Sequence, residues 1–106
     1  MTEAKIMDNV KLFMEIRSWT VLRMHCNAYQ KGIPDLWACH PSYGPRWVEI
    51  KKPEKYKFTK DQLKVFPKIE KSGAGIWILN AGTMDEYRKL FFPHNWKDYL
   101  HGKILA

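Results

Sequence analysis

Lys31-Gly32-Ile33-Pro34-Asp35-Leu36-Trp37-Ala38 and, beyond a turn-rich segment, Trp47-Val48-Glu49-Ile50-Lys51 are the two stretches that decide the fold. Residues Pro34 to Ala38 and Trp47 to Lys51 are short, apolar and β-prone, and Pro41-Ser42-Tyr43-Gly44-Pro45 between them is dense in turn formers. Together they read as a hairpin. Side chains alternate between the faces of a strand, so Trp47, Glu49 and Lys51 share one face while Val48 and Ile50 take the other. If the register also brings Asp35 to Glu49, two carboxylates converge where a hard divalent cation could sit, with the Lys51 ammonium beside it. That is the minimal equipment for metal-dependent cleavage of a phosphodiester. Charged residues on a strand are also what a solvated sheet face looks like, so the rest of the chain has to decide between the two readings.

The 106 residues suffice for one domain with a single modest core, spanning 1–106. At 45% hydrophobic and 27% charged the composition is that of an ordinary globular protein. No apolar run approaches the roughly 18 residues needed to cross a bilayer, and Met1-Thr2-Glu3-Ala4-Lys5 lacks the basic-then-apolar design of a signal peptide. The expected location is the cytoplasm, where Cys26 and Cys39 stay reduced as small buried hydrophobes. Lys and Arg number 18 against 11 acids, a net charge of +7, which points to a polyanionic partner and first of all to nucleic acid. The surplus gathers just after the acidic motif, in Lys51, Lys52, Lys55, Lys57, Lys60, Lys64, Lys68 and Lys71. A cationic surround of that kind holds phosphates close to an acidic centre. Lys31, Lys52, Lys55, Lys57 and Lys60 are the expected DNA contacts, with Tyr43 in the hairpin turn and Tyr56 beside the basic run as aromatic surfaces for bases.

Residues about 3 to 18 form the first expected helix. With successive residues about 100° apart, Ile6, Met7, Val10, Phe13 and Met14 fall on one stripe and Glu3 near its centre, while Glu15 turns toward water. Glu3 is therefore either an acid favoured by the helix dipole at the first turn or a third carboxylate that shares a metal with Asp35 and Glu49. Residues 20–26 read as a first strand. Thr59-Lys60-Asp61-Gln62 opens a second helix with Leu63, Phe66 and Ile69 on its apolar side, and Pro67 is expected to kink it or to start a separate turn. Gly73 and Gly75 end it; Ile76-Trp77-Ile78-Leu79 is a fully buried strand; Thr83-Met84-Asp85-Glu86 caps a short helix running to about Phe91. The order is αβββαβα, a layered α/β arrangement with a mixed central sheet flanked by helices.

Two tempting signals carry less. His25-Cys26 and Cys39-His40 suggest zinc, but neighbours on a strand point to opposite faces and each pair can donate one ligand only. Trp19, Trp47 and Trp77 lie inside or at the ends of elements, where core packing is the default. Thr59-x-x-Gln62 is a complete capping box, so Gln62 is either a structural residue that reaches back to the Thr59 backbone or, if the first turn of that helix faces the metal, a site residue. Phe13, Met14, Trp19, Phe91, Phe92, Trp96 and Tyr99 are more large apolar side chains than one small core encloses, and this leaves a patch for a two-fold homodimer.

This element order, with carboxylates on the second and third strands, resembles the PD-(D/E)XK nuclease superfamily. Within it, Lys31-Gly32-Ile33-Pro34-Asp35-Leu36, then Val48-Glu49-Ile50-Lys51-Lys52-Pro53, then Gln62, resembles the VRR-Nuc family of virus-type replication and repair nucleases. The likeness runs from Glu3 to Leu79; Lys52 stands where the family tends to have a small residue, and nothing beyond Ala81 matches a motif. The resemblance implies a restriction-endonuclease-like αβββαβ core and a Mg²⁺- or Mn²⁺-dependent DNA endonuclease. It implies that Asp35, Glu49 and the Ile50 carbonyl hold the metal with Glu3 reaching in, that Lys51 serves the attacking water and the transition state, and that Gln62 belongs near the site. Dimeric cutters of Holliday junctions or other branched DNA are the implied substrate class. A restriction-like or nicking nuclease on duplex DNA and a non-catalytic DNA-binding module remain the alternatives.

Overall fold

The structure, a computed structural model, describes residues 1–25 and 31–100. The hairpin closes more tightly than its sequence suggests. Strand β2 spans Leu36–His40 and β3 spans Gly44–Ile50, so that only Pro41, Ser42 and Tyr43 remain in the turn. Gly44 makes this possible with a φ of 77°, since a three-residue hairpin loop needs a left-handed residue to rejoin the ladder. Pro45 has no N–H to give the ladder and sits exposed opposite Cys39, before the level at which the fourth strand begins.

β1, Thr20–Arg23, pairs antiparallel with β2, and β4, Ile76–Leu79, pairs parallel with β3, giving a four-stranded sheet in the order β1-β2-β3-β4. The mixed sheet and the helix-three-strand-helix-strand order are those expected. β1 stops at Arg23; of the residues expected to extend it, Met24 still donates its N–H to Asp35 O at 2.8 Å, and Cys26 lies outside the described residues.

Strand alternation divides the apolar residues into two cores. Leu36, Ala38, Val48, Ile50, Trp77 and Leu79 face α1, Glu3–Glu15, which sends down Ile6, Val10 and Met14. Trp47, Ile76 and Ile78 face the other way, onto Phe66 of α2, Lys60–Lys71, together with Phe58 and Trp96. Each fully buried side chain among these contributes on the order of 2 kcal/mol, and the half-buried Trp47 less. α1 ends three residues earlier than its periodicity suggests. Ser18 takes a φ of 74° and swings Trp19 into the core, where its indole Nε1 donates to Tyr87 Oη at 3.1 Å. α2 runs unbroken through Pro67 instead of splitting there; the ring lies on the exposed side, where water can satisfy the carbonyl that has lost its donor.

After β4, α3 (Met84–Arg88) passes into a 3₁₀ turn over Lys89–Phe91, and a second 3₁₀ turn covers Trp96–Tyr99. This last segment wraps both faces: Leu90 and Tyr87 join the core under α1, and Trp96 and Tyr99 that under α2. Trp96 Nε1 donates to Glu70 Oε1 at 2.7 Å. The surplus of apolar side chains invoked for self-association accordingly shrinks. Met14, Trp19 and Trp96 are buried within the chain, Phe13 and Tyr99 are partly covered, and Phe91 and Phe92 alone of that set stay exposed. No described helix is long and apolar enough to cross a membrane.

Candidate active site

Asp35 immediately precedes β2, and the Leu36–Val48 pairing places it across from Glu49 near the end of β3. The two clasp each other through backbone and side chain. The Asp35 N–H donates to Glu49 Oε1 at 3.1 Å, and the Ile50 N–H donates to Asp35 Oδ2 at 2.8 Å, so the carboxylate takes over where the β2–β3 ladder runs out. Gly32 lets the preceding loop reach this position. Its φ is 87°, and a Cβ there would stand 2.4 Å from the Asp61 carbonyl oxygen; only glycine lets the loop lie flat against the start of α2.

Glu49 and Lys51 point to one face, as alternation requires, and both are buried, at 3% and 4% exposure. A buried charge needs partners. The Lys51 ammonium has four: the Lys57 carbonyl at 2.6 Å, Gln62 Oε1 at 3.0 Å, Glu49 Oε2 at 3.1 Å and the face of the Phe58 ring at 4.7 Å. Gln62 completes the cap and also meets both Lys51 and Glu49. Its Oε1 accepts from the Thr59 N–H at 3.0 Å, completing the capping box, and the same oxygen accepts from Lys51; its Nε2 donates to Glu49 Oε2 at 2.8 Å.

Because Gln62 has one oxygen facing donors and one nitrogen facing a carboxylate, Gln62→Glu keeps the cap but sets two carboxylates against each other. We expect turnover to fall at least about tenfold. The melting temperature should fall at pH 8 and recover near pH 5, where the new pair can share a proton. Kinetics and calorimetry at the two pH values check this; unchanged turnover would leave Gln62 a cap alone.

Burial raises the pKa of the Asp35 carboxyl, helped by the charge of Glu3 and opposed by the Ile50 hydrogen bond and Lys51. Burial and the Asp35 charge push Glu49 up to about 8, although Lys51 and Gln62 pull the other way. The three groups bonded to Glu49 are all donors, which suits a carboxylate, while desolvation favours the neutral acid. Such a site is short of positive charge. An acid whose folded pKa lies above its unfolded one stabilises the fold fully below about 4.5, and that stability is lost as pH rises through about 8. Metal-free protein should thus lose at most on the order of 5 kcal/mol across this interval. Thermal melts in EDTA would show the slope in the native protein and its loss in Glu49→Gln, whatever constant offset that variant carries.

Glu3 is exposed, and among the described residues no three His, Cys, Asp or Glu side chains gather closely enough to hold a metal between them. Glu3 therefore stands near the Asp35–Glu49 pair and acts on Asp35 through its charge, instead of completing a three-carboxylate cluster. The pair itself, adjoining the main chain of Ile50, offers hard oxygen donors and an unmet negative charge, a donor set that fits Mg²⁺ or Mn²⁺. Among the described residues no zinc set forms: Cys39 is a free cysteine and His40 packs against Tyr43 and, edge-on, Trp19; Cys26 lies outside the described residues.

Lys31, Lys52, Lys55, Lys57 and Lys60 are all exposed around this end of the sheet. Lys31 lines a cleft of about 280 Å³ with Asp35 and Gln62, while Lys52 and Lys55 line a larger one of about 590 Å³ on the α1 side. Tyr43 is not with them. The length of β2, roughly 17 Å, separates it from the acids, and it packs with His40 and Phe91 at the opposite end of the hairpin. Tyr56 is half-buried with its ring against Phe58 and Tyr99, which makes it part of the α2-side core. One neighbour of the candidate site escaped the sequence reading altogether. Asn80, just past β4, donates from Nδ2 to the Lys51 carbonyl at 2.7 Å and takes the Glu86 carboxylate on its own N–H at 2.7 Å. Its only sequence signal is a polar residue directly after the buried run Ile76–Leu79.

No family model matches the chain, and no curated protein does. A solved structure described as a VRR_NUC domain superposes with a TM-score of 0.68 at 25% identity, covering 84% of this chain and 92% of that one.

Proposed function

We infer that this chain, which shares its fold with a solved VRR_NUC domain and carries the motifs by which it resembles the VRR-Nuc nucleases, is a divalent-metal-dependent endonuclease hydrolysing DNA phosphodiesters. The observation that carries the reading is the buried Glu49–Lys51–Gln62 cluster set against Asp35. Asp35, Glu49 and the Ile50 carbonyl would hold Mg²⁺ or Mn²⁺. Bound there, the cation supplies positive charge against phosphate oxygens and lowers the pKa of water.

The chain's own residues do the rest. Gln62 fixes Glu49 from one side while Lys51 fixes it from the other, so the carboxylate oxygens cannot swing away. The Lys51 ammonium is pre-oriented by a carbonyl and an amide oxygen, ready to stabilise negative charge that builds on phosphorus; a fixed charge of this kind favours the transition state over the ground state. The exposed lysines around the two clefts supply the sequence-independent hold on the backbone.

We propose branched or otherwise structured DNA as the substrate, Holliday junctions included, over continuous duplex. A non-catalytic DNA-binding module has no use for a desolvated carboxylate pair facing a polyanion. Incubating the protein with flap, fork, cruciform and linear DNAs, with and without Mn²⁺, tests the reading. Cleavage of the branched forms only with metal is the expected outcome. Cleavage of linear duplex at least as fast would favour the restriction-like alternative, and no cleavage of any form the binding module.

A further inference from the structure

We propose that Asn80 is a positioning residue for Lys51, and that the segment after β4 serves the site by holding Asn80 in place. The proposal rests on the nuclease reading and adds to it a residue that acts on the candidate catalytic lysine through its main chain.

β3 stops at Ile50, so Lys51 stands where the sheet gives out. A side chain there is only as fixed as the backbone that carries it. On the β2 side the Asp35 carboxylate extends the ladder by accepting from the Ile50 N–H at 2.8 Å. On the β4 side the Leu79 carbonyl accepts from the Lys51 N–H at 3.2 Å, and Asn80 Nδ2 donates to the Lys51 carbonyl at 2.7 Å. With Ile50 paired to Leu79 in a parallel register, the ladder would next bring that carbonyl to the N–H of residue 81. The Asn80 side chain supplies a donor one residue sooner. Both peptides that flank the Lys51 Cα are thus tied to β4 and its exit.

The far end of the lysine depends on the same bond. Its ammonium donates to the Lys57 carbonyl at 2.6 Å, and Lys57 lies on the loop whose first peptide Asn80 holds. That loop passes through Pro53, which has no N–H to give, and through Lys55, whose φ of 60° is a left-handed value that a non-glycine residue keeps only where its surroundings hold it. The direction in which the loop leaves β3 therefore bears on where Lys57 returns.

Asn80 is itself clamped by a closed ring of polar groups. Its N–H donates to Glu86 Oε1 at 2.7 Å, and its Oδ1 accepts from the Tyr99 hydroxyl at 3.4 Å. The Lys89 ammonium joins the two supports, meeting Glu86 Oε2 at 2.7 Å and Tyr99 Oη at 2.7 Å. The amide has one sensible orientation, because the Lys51 carbonyl can only accept. The Glu86 side chain is 16% exposed and that of Lys89 33%, so water competes with these bonds less than on an open surface. Glu86, Lys89 and Tyr99 come from α3 and the two 3₁₀ turns after it, the part of the chain in which no motif could be read.

NMR of the lysine ammonium groups in nitrogen-labelled, metal-free protein reads the placement without any cleavage. The Lys51 signal, assigned through its own side-chain carbons, should exchange protons with water slowly in the native protein and at least about tenfold faster in Asn80→Ala. Tyr99→Phe removes one support of Asn80 and keeps the ring against Tyr56; it should act in the same direction by a smaller factor, and it carries the test if Asn80→Ala folds poorly. Single-turnover cleavage at saturating DNA should fall at least about tenfold in Asn80→Ala, with DNA affinity kept within about threefold. A purely structural Asn80 would lower the melting temperature and leave exchange and rate where they were. That result, or a change in one of the two without the other in protein that cuts, would overturn the proposal. Faster exchange in the variants of a protein that cuts no DNA with Mg²⁺ or Mn²⁺ would remove the nuclease reading and leave the hold of Asn80 on Lys51 standing. Metal-dependent cutting untouched by either variant would do the reverse.

Discussion

Asp35→Ala and Glu49→Ala should each remove cleavage, by at least about a thousandfold, and weaken Mn²⁺ binding as read by calorimetry. Each substitution takes away one of the two carboxylates that the hairpin register sets face to face. Retained cleavage in highly purified Asp35→Ala protein would sink the assignment. Stability in EDTA separates the charge from the hydrogen bond. Asp35→Asn keeps an oxygen for the Ile50 N–H while removing a charge that repels Glu49, so its melting temperature should rise. Asp35→Ala leaves that N–H without its acceptor, a loss of about 1–3 kcal/mol that offsets the relief.

Lys51→Ala should also lose turnover by at least about a thousandfold, but with DNA affinity kept within about threefold, because a buried ammonium at 4% exposure is not a backbone contact for the bound duplex. Single-turnover kinetics beside anisotropy give the two numbers. Losses of equal size in both would make Lys51 a phosphate contact only. The burial adds a second signature. Without Lys51 the Glu49 carboxylate lacks its nearest cation, and breaking a buried pair in this way costs about 3–5 kcal/mol. That cost should appear in melts at pH 8 in EDTA and shrink at pH 5 or with added Mg²⁺, since a proton or a metal can replace the missing charge.

The hydrogen-bond pattern explains why these variants are expected to behave so differently from surface charge changes. Lys51 and Glu49 sit within one network that also takes in Gln62, the Lys57 carbonyl and the capped start of α2. Single substitutions in such a network do not add, so a Lys51→Ala/Gln62→Ala double variant is the informative comparison for apportioning the loss.

Local physics fixed much of this protein from its sequence alone. The alternation of Trp47, Glu49 and Lys51 against Val48 and Ile50 survives into the fold because a strand has a side-chain period of two, and only one register keeps the apolar set inside. The capping box at Thr59 and Gln62 and the buried run at Ile76–Leu79 were legible for the same reason: each depends on residues close together in the chain. Tertiary structure decided what depends on distance across the fold. The periodicity of α1 put Glu3 on the inward stripe, but Glu3 is the first residue of that helix, ahead of Ile6 where the stripe becomes covered, and it remains exposed. Tyr43 belongs to the hairpin that carries the acids yet lies at its far end, since a strand separates what a turn connects. Gln62 read as either a cap or a site residue; the packing of α2 against β3 lets one side chain complete the cap and touch both candidate site residues, with a shared oxygen for Thr59 and Lys51 and a nitrogen for Glu49. Asn80, and the cleft beside it, arise only when the ends of two parallel strands meet the first turns of a helix more than seventy residues earlier, a coincidence in space that no local pattern records.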